Sequence, residues 1–266
     1  MGSVIPRNVS KSVFGKNLFA PSWYCRDRPF CSSSNNFTAE ESEPLYPGHI
    51  ETSSLQKLLL AGGSALIALS NPWRADMVAV NGEVTGTQAL RYMLSKLEET
   101  EEGRRILADK PRIGGDTLNS LANHPPQSLG GVYHAFMKKY SLTPDSRDIV
   151  QFVDDPQLAY VMTRYRETHD LTHAVLGMPT NMLGEVLVKW VEAVQTRLPM
   201  CVGGAILGPI RFKSKQRDKY LEVLSWAIEV GRDAKFLPGI YYEERWDQDI
   251  LEFRKEINIK HPPSLK

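Results

Sequence analysis

A single long stretch with helical periodicity, residues 156–176, constrains the fold of this chain more than any other feature. Asp155 suits the N-cap of a helix, Pro156 suits its first turn, and Gly177 suits the cap that ends it. At about 100° per residue, one stripe of side chains faces a single direction and predicts the buried face. The stripe consists of Leu158, Met162, Tyr165, His169, His173 and Leu176. No useful run of strand-like alternation occurs, so the sequence predicts an all-α fold.

The same stripe carries a candidate metal centre. His169 and His173 stand at i and i+4, one above the other, and Asp170 lies about 100° round the helix from His169. Thr180 can cap a second, antiparallel helix over residues 181–198, which presents Glu185 to the same point. Two imidazoles and two carboxylates suit Zn²⁺. A capped or solvent-facing His pair is the alternative, but an apolar stripe favours a metal, since unpaired polar groups there are costly.

Two further residues of this helix are candidate catalytic groups. Arg166 falls on the ligand face, and a guanidinium there needs an anion, either a protein carboxylate or the carboxylate of a substrate. Tyr165 can donate a proton or simply pack against the core. Both alternatives stay open for each residue at this point.

Other motifs favour different chemistry only weakly. A zinc protease motif, His-Glu-x-x-His, needs glutamate after the first histidine, where this chain has Asp170. A third hypothesis is a phosphohydrolase of the His-Asp type, with His169-Asp170 as its paired ligands, His134 upstream and a later aspartate. The nearby His173 and Glu185 favour the hairpin site instead.

Charge is distributed unevenly along the 266 residues. The total is 32 basic and 31 acidic groups, which gives no indication of nucleic-acid binding. Residues 1–39 hold five basic groups and one acid, which is typical of a mitochondrial transit peptide; a disordered tail is the alternative. Residues 40–54 are predicted to be a linker and residues 55–266 a helical domain. The three cysteines provide no disulfide framework, which favours a reducing compartment.

Two apolar segments stand out, residues 55–69 and 201–210. Both are shorter than the roughly 20 residues needed to span a bilayer. The first is either a buried core helix or a helix that touches lipid or an apolar ligand. Further predicted helices cover residues 87–99 and 101–109, facing solvent, then 129–140 and an amphipathic stretch at 240–257. Residues 112–129 are predicted to be turn-rich.

The sequence resembles one known family, the fourth component of the coenzyme Q (ubiquinone) biosynthesis pathway. The resemblance covers about residues 50–260 and rests on His169-Asp170-x-x-His173-x(11)-Glu185. Supporting runs are Phe152-Val-Asp-Asp, Tyr165-Arg-Glu-Thr-His-Asp, Leu176-Gly-Met-Pro-Thr-Asn and Gly208-Pro-Ile-Arg211.

The resemblance implies a helical protein on the matrix face of the mitochondrial inner membrane, in a complex with other enzymes of the pathway. It implies Zn²⁺ at His169, Asp170, His173 and Glu185. It also implies removal of the C1 carboxylate from a polyprenylated 4-hydroxy-3-methoxybenzoate, and leaves open whether the C1 hydroxyl is installed as well. A non-catalytic organiser that binds the lipid-tailed intermediate is the alternative function.

Overall fold

A computed structural model describes residues 43–71, 74–260 and 265 of the protein. This part of the chain is all-α, as predicted, and its only β-type pairing is an isolated antiparallel bridge between Ser128 and Asp249. The predicted transit peptide, residues 1–39, lies outside the described residues. The α-helices are α1 (Ser54–Ser70), α2 (Ala75–Thr85), α3 (Thr87–Glu98), α4 (Glu101–Asp109), α5 (Gly115–Ser120), α6 (Leu129–Tyr140), α7 (Pro156–Leu176), α8 (Met182–Thr196), α9 (Pro199–Leu207), α10 (Ser214–Asp233) and α11 (Ile250–Glu256).

The central helix is α7, which is buried on nearly every side. Asp155 caps it as predicted, since its carboxylate accepts from the backbone N–H of Gln157 at 2.8 Å. Gly177 ends it in the left-handed conformation, with φ +67°, a conformation that glycine adopts without strain. One part of the core packs α7 against α3 and α9, and another packs it against α6, α8, α10 and α11.

The turn after α7 brings α8 back beside it. Asn181 rather than the predicted Thr180 caps α8, because its side-chain oxygen accepts from the N–H of Gly184 at 3.0 Å. A Cβ on Gly184 would lie 2.0 Å from the carbonyl oxygen of Pro179, so the tight turn requires glycine there. The hairpin predicted from the sequence is therefore present, with the cap shifted by one residue.

The apolar helix α1 is not a buried core helix, so that alternative is wrong. Six of its large apolar side chains are exposed and only Ser64 is buried. The helix lies against α2, where the Asn81 side-chain amide donates to the Ala61 carbonyl at 3.1 Å and to Ser64 Oγ at 3.2 Å. In the part of the chain that the structure describes, no helix is both long and apolar enough to cross a membrane.

Several other predicted elements differ from the structure. Helices α3 and α4 do not simply face solvent, because Leu90, Met93 and Ile106 are fully buried. The turn-rich region 112–129 contains the short helix α5. Residues 240–257 are not one amphipathic helix; a 3₁₀ turn at Tyr242–Glu244 precedes α11. Helices α2 and α10 were not predicted.

The residues before α1 follow no regular structure but are bound to the body of the fold. Tyr46 donates its hydroxyl to the Val153 carbonyl at 2.9 Å, and the Ile50 N–H donates to the Gln151 carbonyl at 2.8 Å. These bonds place residues 46–50 beside the segment that leads into α7. The boundary between a linker at 40–54 and a domain at 55–266 stays a prediction.

Candidate metal centre

Two histidines from α7 and one glutamate from α8 form the candidate centre. One ligand atom from each of His169, His173 and Glu185 lies within 4.8 Å of the others. The two imidazole rings meet edge to face with their centroids 4.8 Å apart. The Glu185 carboxylate oxygens lie 3.4 Å from His173 Nε2 and 3.8 Å from His169 Nε2. The hairpin thus brings together three of the four predicted ligands.

The hydrogen bonds on the far side of each ring define which nitrogen is free. His169 Nδ1 lies 2.6 Å from Glu192 Oε1, and His173 Nδ1 lies 3.2 Å from the Met178 carbonyl oxygen. Both partners are acceptors, so each Nδ1 carries the proton and each Nε2 presents a lone pair to Glu185. This is the arrangement found behind metal-binding histidines, whose second nitrogen donates to a carboxylate or carbonyl.

His173 Nε2 provides the test of whether a cation fits. This atom is fully buried and has no hydrogen-bond partner, and the carboxylate facing it is also an acceptor. Leaving such a polar atom unsatisfied costs about 1–3 kcal/mol. A cation held between the two imidazoles and Glu185 would satisfy all three groups at once, so the residues fit a metal ion such as Zn²⁺.

The electrostatic surroundings of His169 and Glu185 favour the metal-binding form of each. Burial and the nearby Lys189 ammonium lower the pKa of His169, which favours the neutral ring. Burial alone would raise the pKa of Glu185, but the basic groups around it, which include the Lys189 ammonium, outweigh burial and lower the pKa to about 2. A neutral ring at His169 and an ionised carboxylate at Glu185 are the forms that bind a metal ion.

Asp170 is not part of this group. Its carboxylate forms an ion pair with the guanidinium of Arg147, and both side chains are mostly buried. Burial lowers the pKa of Arg147. The role of Asp170 as a metal ligand stays a prediction.

Arg166 finds its anion within the protein. Its guanidinium donates to Glu83 Oε1 at 2.6 Å and to the Asp148 carbonyl at 3.2 Å. The other Glu83 oxygen accepts from the backbone N–H groups of Gln151 and Phe152 at 2.8 and 2.7 Å. Of the two partners weighed from the sequence, the protein carboxylate is the one present.

Tyr165 lies on the Nδ1 side of His169, behind the ligand. Its hydroxyl donates to Glu192 Oε2 at 2.9 Å and lies 3.1 Å from both Lys189 Nζ and Cys201 Sγ. Burial raises the pKa of Tyr165 well above its usual value, and the neighbouring Cys201 and Glu192 raise it further.

Sequence reasoning missed the group of polar residues around Glu192. Lys189 and Glu192 follow Glu185 at i+4 and i+7, so all three share one face of α8. This spacing could have predicted that the three side chains share a face. It could not predict the partners of the buried Glu192 carboxylate, because these depend on how α7 and α9 pack against α8.

The fold and the site together define a class: an all-α protein with a two-histidine, one-carboxylate candidate metal centre in a helical hairpin. The chain also matches the family model of the coenzyme Q (ubiquinone) biosynthesis protein Coq4 over residues 46–263. It therefore belongs to the Coq4 family of ubiquinone biosynthesis proteins.

Individual relatives agree with this membership. The chain is 54% identical over 233 residues to the mitochondrial ubiquinone biosynthesis protein COQ4 homolog of Bombyx mori, covering 86% of this chain and 90% of the relative. It is 51% identical over 229 residues to the protein of the same name from Xenopus laevis, covering 85% and 81%.

The fold is also found among solved structures, for example in that of a protein from Nostoc punctiforme PCC 73102 whose name also refers to ubiquinone biosynthesis. The TM-score is 0.61 with 21% sequence identity, and the match covers 79% of this chain and all of the other.

Proposed function

We propose that this protein is a zinc-dependent decarboxylase that removes the C1 carboxylate of 4-hydroxy-3-methoxy-5-polyprenylbenzoate to give 2-methoxy-6-polyprenylphenol. The observation that carries the proposal is the convergence of two Nε2 lone pairs and the Glu185 carboxylate on one point, with both Nδ1 atoms already paired. Family membership in ubiquinone biosynthesis supports the substrate class.

The three ligands give the site a closed side and an open side. The His173 side chain is fully buried, whereas Glu185 is 36% exposed and His169 is 21% exposed. Three protein ligands with an accessible side are typical of catalytic rather than structural zinc. Zinc bound there would supply Lewis acidity toward an oxygen of the substrate.

Decarboxylation develops one negative charge on the substrate, which must be stabilised, and requires the transfer of one proton to C1. The bond between C1 and the carboxylate carbon breaks, CO₂ leaves, and the electron pair left on C1 takes up a proton. Glu185 and the two histidines would hold the zinc ion, which would offer a Lewis acid to a substrate oxygen at the open side. Tyr165 is turned toward Glu192, and Arg166 toward Glu83, so we assign both residues first to holding the site and its surrounding segments.

Apolar surface between α1 and the end of α9 suits a polyprenyl tail. A cavity of about 320 Å³ is lined by Leu69 of α1, by Leu207 at the end of α9, and by Ile210 and Arg211 in the turn that follows. Helix α9 packs on α8, the helix that carries Glu185. We propose that the polyprenyl tail lies in this cavity.

The exposed apolar residues of α1 support a peripheral position on a membrane. Leu58, Leu59 and Leu66 are each more than 65% exposed. We propose that this face meets the matrix side of the mitochondrial inner membrane, where the protein works in a complex with other enzymes of the pathway. The basic segment at residues 1–39 and the mitochondrial names of the relatives support this location.

The test measures zinc and CO₂ on the same purified sample. Wild-type protein is expected to contain one zinc ion by mass spectrometry and to release labelled CO₂ from a carboxyl-labelled, polyprenylated substrate. His169→Ala is expected to lose both, and His134→Ala, on α6 outside the site, is expected to keep both.

A zinc-loaded wild type that releases no CO₂, beside a His169→Ala protein that still assembles with its partners, would favour the non-catalytic organiser. Release of phosphate from a phosphoester panel would favour the phosphohydrolase.

A further inference from the structure

Glu192 is a buried carboxylate directly behind a ligand of the candidate metal centre. Its side chain is 5% exposed, and it is on α8 two turns beyond Glu185. An isolated carboxylate at such a position would be very costly, so its partners determine what it can do.

The two oxygens of Glu192 serve different partners. Oε1 lies 2.6 Å from His169 Nδ1. Oε2 accepts from Lys189 Nζ at 2.7 Å and from the Tyr165 hydroxyl at 2.9 Å, and Cys201 Sγ lies 3.6 Å away. One oxygen is thus reserved for the histidine, while three donors from α7, α8 and α9 fix the other.

These contacts hold the ring of His169 in one orientation and one tautomer. With Nδ1 protonated toward Glu192, the Nε2 lone pair must face Glu185 and His173. Without the carboxylate, the ring can turn about its χ angles or move its proton to Nε2, and either change removes a ligand. Lys189 carries the positive charge that offsets the buried carboxylate.

We propose that Glu192, anchored by Lys189, Tyr165 and Cys201, is the positioning residue that makes His169 a metal ligand. This inference rests on the proposed metal centre, since it concerns how one of its ligands is oriented. It assigns to the Lys189–Glu192 pair a function beyond the stability of the hairpin.

The experiment measures zinc affinity by competition with a fluorescent chelator, using full-length protein. Glu192→Gln keeps an acceptor for the His169 Nδ1 proton and is expected to weaken zinc binding about 10-fold; Glu192→Ala removes the acceptor and is expected to weaken it about 100-fold. Glu167→Gln is the matched control. Like Glu192, Glu167 is a buried and ion-paired glutamate, but it is on α7, its partner is Arg112, and it does not contact a candidate ligand. Its zinc affinity is expected to stay within twofold of wild type.

A second readout does not depend on metal. Long-range ¹H–¹⁵N spectra of the metal-free protein are expected to show His169 protonated on Nδ1 in the wild type and in Glu167→Gln. In Glu192→Ala the same ring is expected to show a mixture of tautomers. This spectrum still reports the role of Glu192 if the alanine variant binds no metal at all.

The outcomes separate this inference from the function it rests on. A wild-type protein that binds no zinc overturns the metal centre itself. A wild-type protein that binds zinc, together with Glu192 variants of equal affinity and an unchanged His169 tautomer, overturns only the role of Glu192. Equal weakening in Glu167→Gln would also overturn it, because the effect would then follow from disturbing any buried ion pair.

Discussion

Replacing Gly184 with alanine tests how strictly the hairpin backbone sets the metal centre. The added Cβ would lie 2.0 Å from the Pro179 carbonyl oxygen and 2.9 Å from its carbonyl carbon, where real Cβ atoms essentially never come closer than 3.0 Å. The start of α8 and the turn before it must therefore separate by about 1 Å.

That displacement falls on the residue just before Glu185. The Asn181 cap, which accepts from the Gly184 N–H at 3.0 Å, moves with it. Metal sites hold their ligand distances to about 0.2 Å, so a shift of this size disrupts the geometry. We expect Gly184→Ala to weaken zinc binding at least about 10-fold and to lower the free energy of unfolding by about 1–3 kcal/mol through overpacking.

Chelator competition measures the affinity, and urea unfolding of the metal-free protein measures the stability. Gly63→Ala is the matched control, because Gly63 is in the middle of α1 with no atom within 4 Å of the added Cβ. Its zinc affinity should not change, and its stability should rise by up to about 1 kcal/mol from the better helix propensity of alanine. If Gly184→Ala folds and binds zinc as tightly as wild type, the backbone does not set the ligand geometry as argued.

Three further predictions concern the metal, the Asp170 ion pair and the apolar face of α1. Removing zinc with a chelator should lower Tm in the wild type and leave the Tm of Glu185→Ala unchanged, as followed by calorimetry; equal Tm values with and without zinc in the wild type would contradict the site. Asp170→Asn should lower the free energy of unfolding by about 3 kcal/mol, because it leaves the buried Arg147 guanidinium without its partner. A double-mutant cycle with Arg147→Met should show strong coupling between the two residues. If zinc binding is lost in Asp170→Asn but kept in Arg147→Met, Asp170 is a metal ligand. Leu58→Glu and Leu66→Glu should reduce sedimentation with cardiolipin-containing vesicles while changing stability by less than about 0.5 kcal/mol; unchanged sedimentation would exclude this face as the contact.

Local sequence signals predicted the hairpin well because they act within a few residues. Asp155 caps α7 and Gly177 ends it, as expected from their own backbone preferences. The i, i+4 spacing of His169 and His173 fixes their relation whatever packs around them. These parts of the site follow from one helix alone.

Sequence patterns were a poor guide where the local structure depends on contacts with residues that are distant in the chain. Residues 240–257 have helical spacing, but the Ile240 carbonyl accepts from Arg164 and the Tyr241 N–H donates to Glu102 at 2.7 Å. These tertiary bonds interrupt the helix that local periodicity favours. The ion-pair partner of Asp170, Arg147, likewise comes from another part of the chain and could not be predicted from local spacing, while the role of Asp170 as a metal ligand stays a prediction.

The charged residues of α7 explain why one helix orientation is selected. Four of them pair with four separate segments: Arg164 with Glu243, Arg166 with Glu83, Glu167 with Arg112, and Asp170 with Arg147. Buried ion pairs add little net stability, because desolvation offsets most of their attraction. Rotating α7 by one residue, about 100°, would separate all four pairs at once and would also turn both histidines away from Glu185. We therefore interpret the four pairs together as fixing the rotation of α7, so that replacing one pair by apolar residues of similar size should preserve both Tm and zinc binding, because the other three pairs still hold the helix.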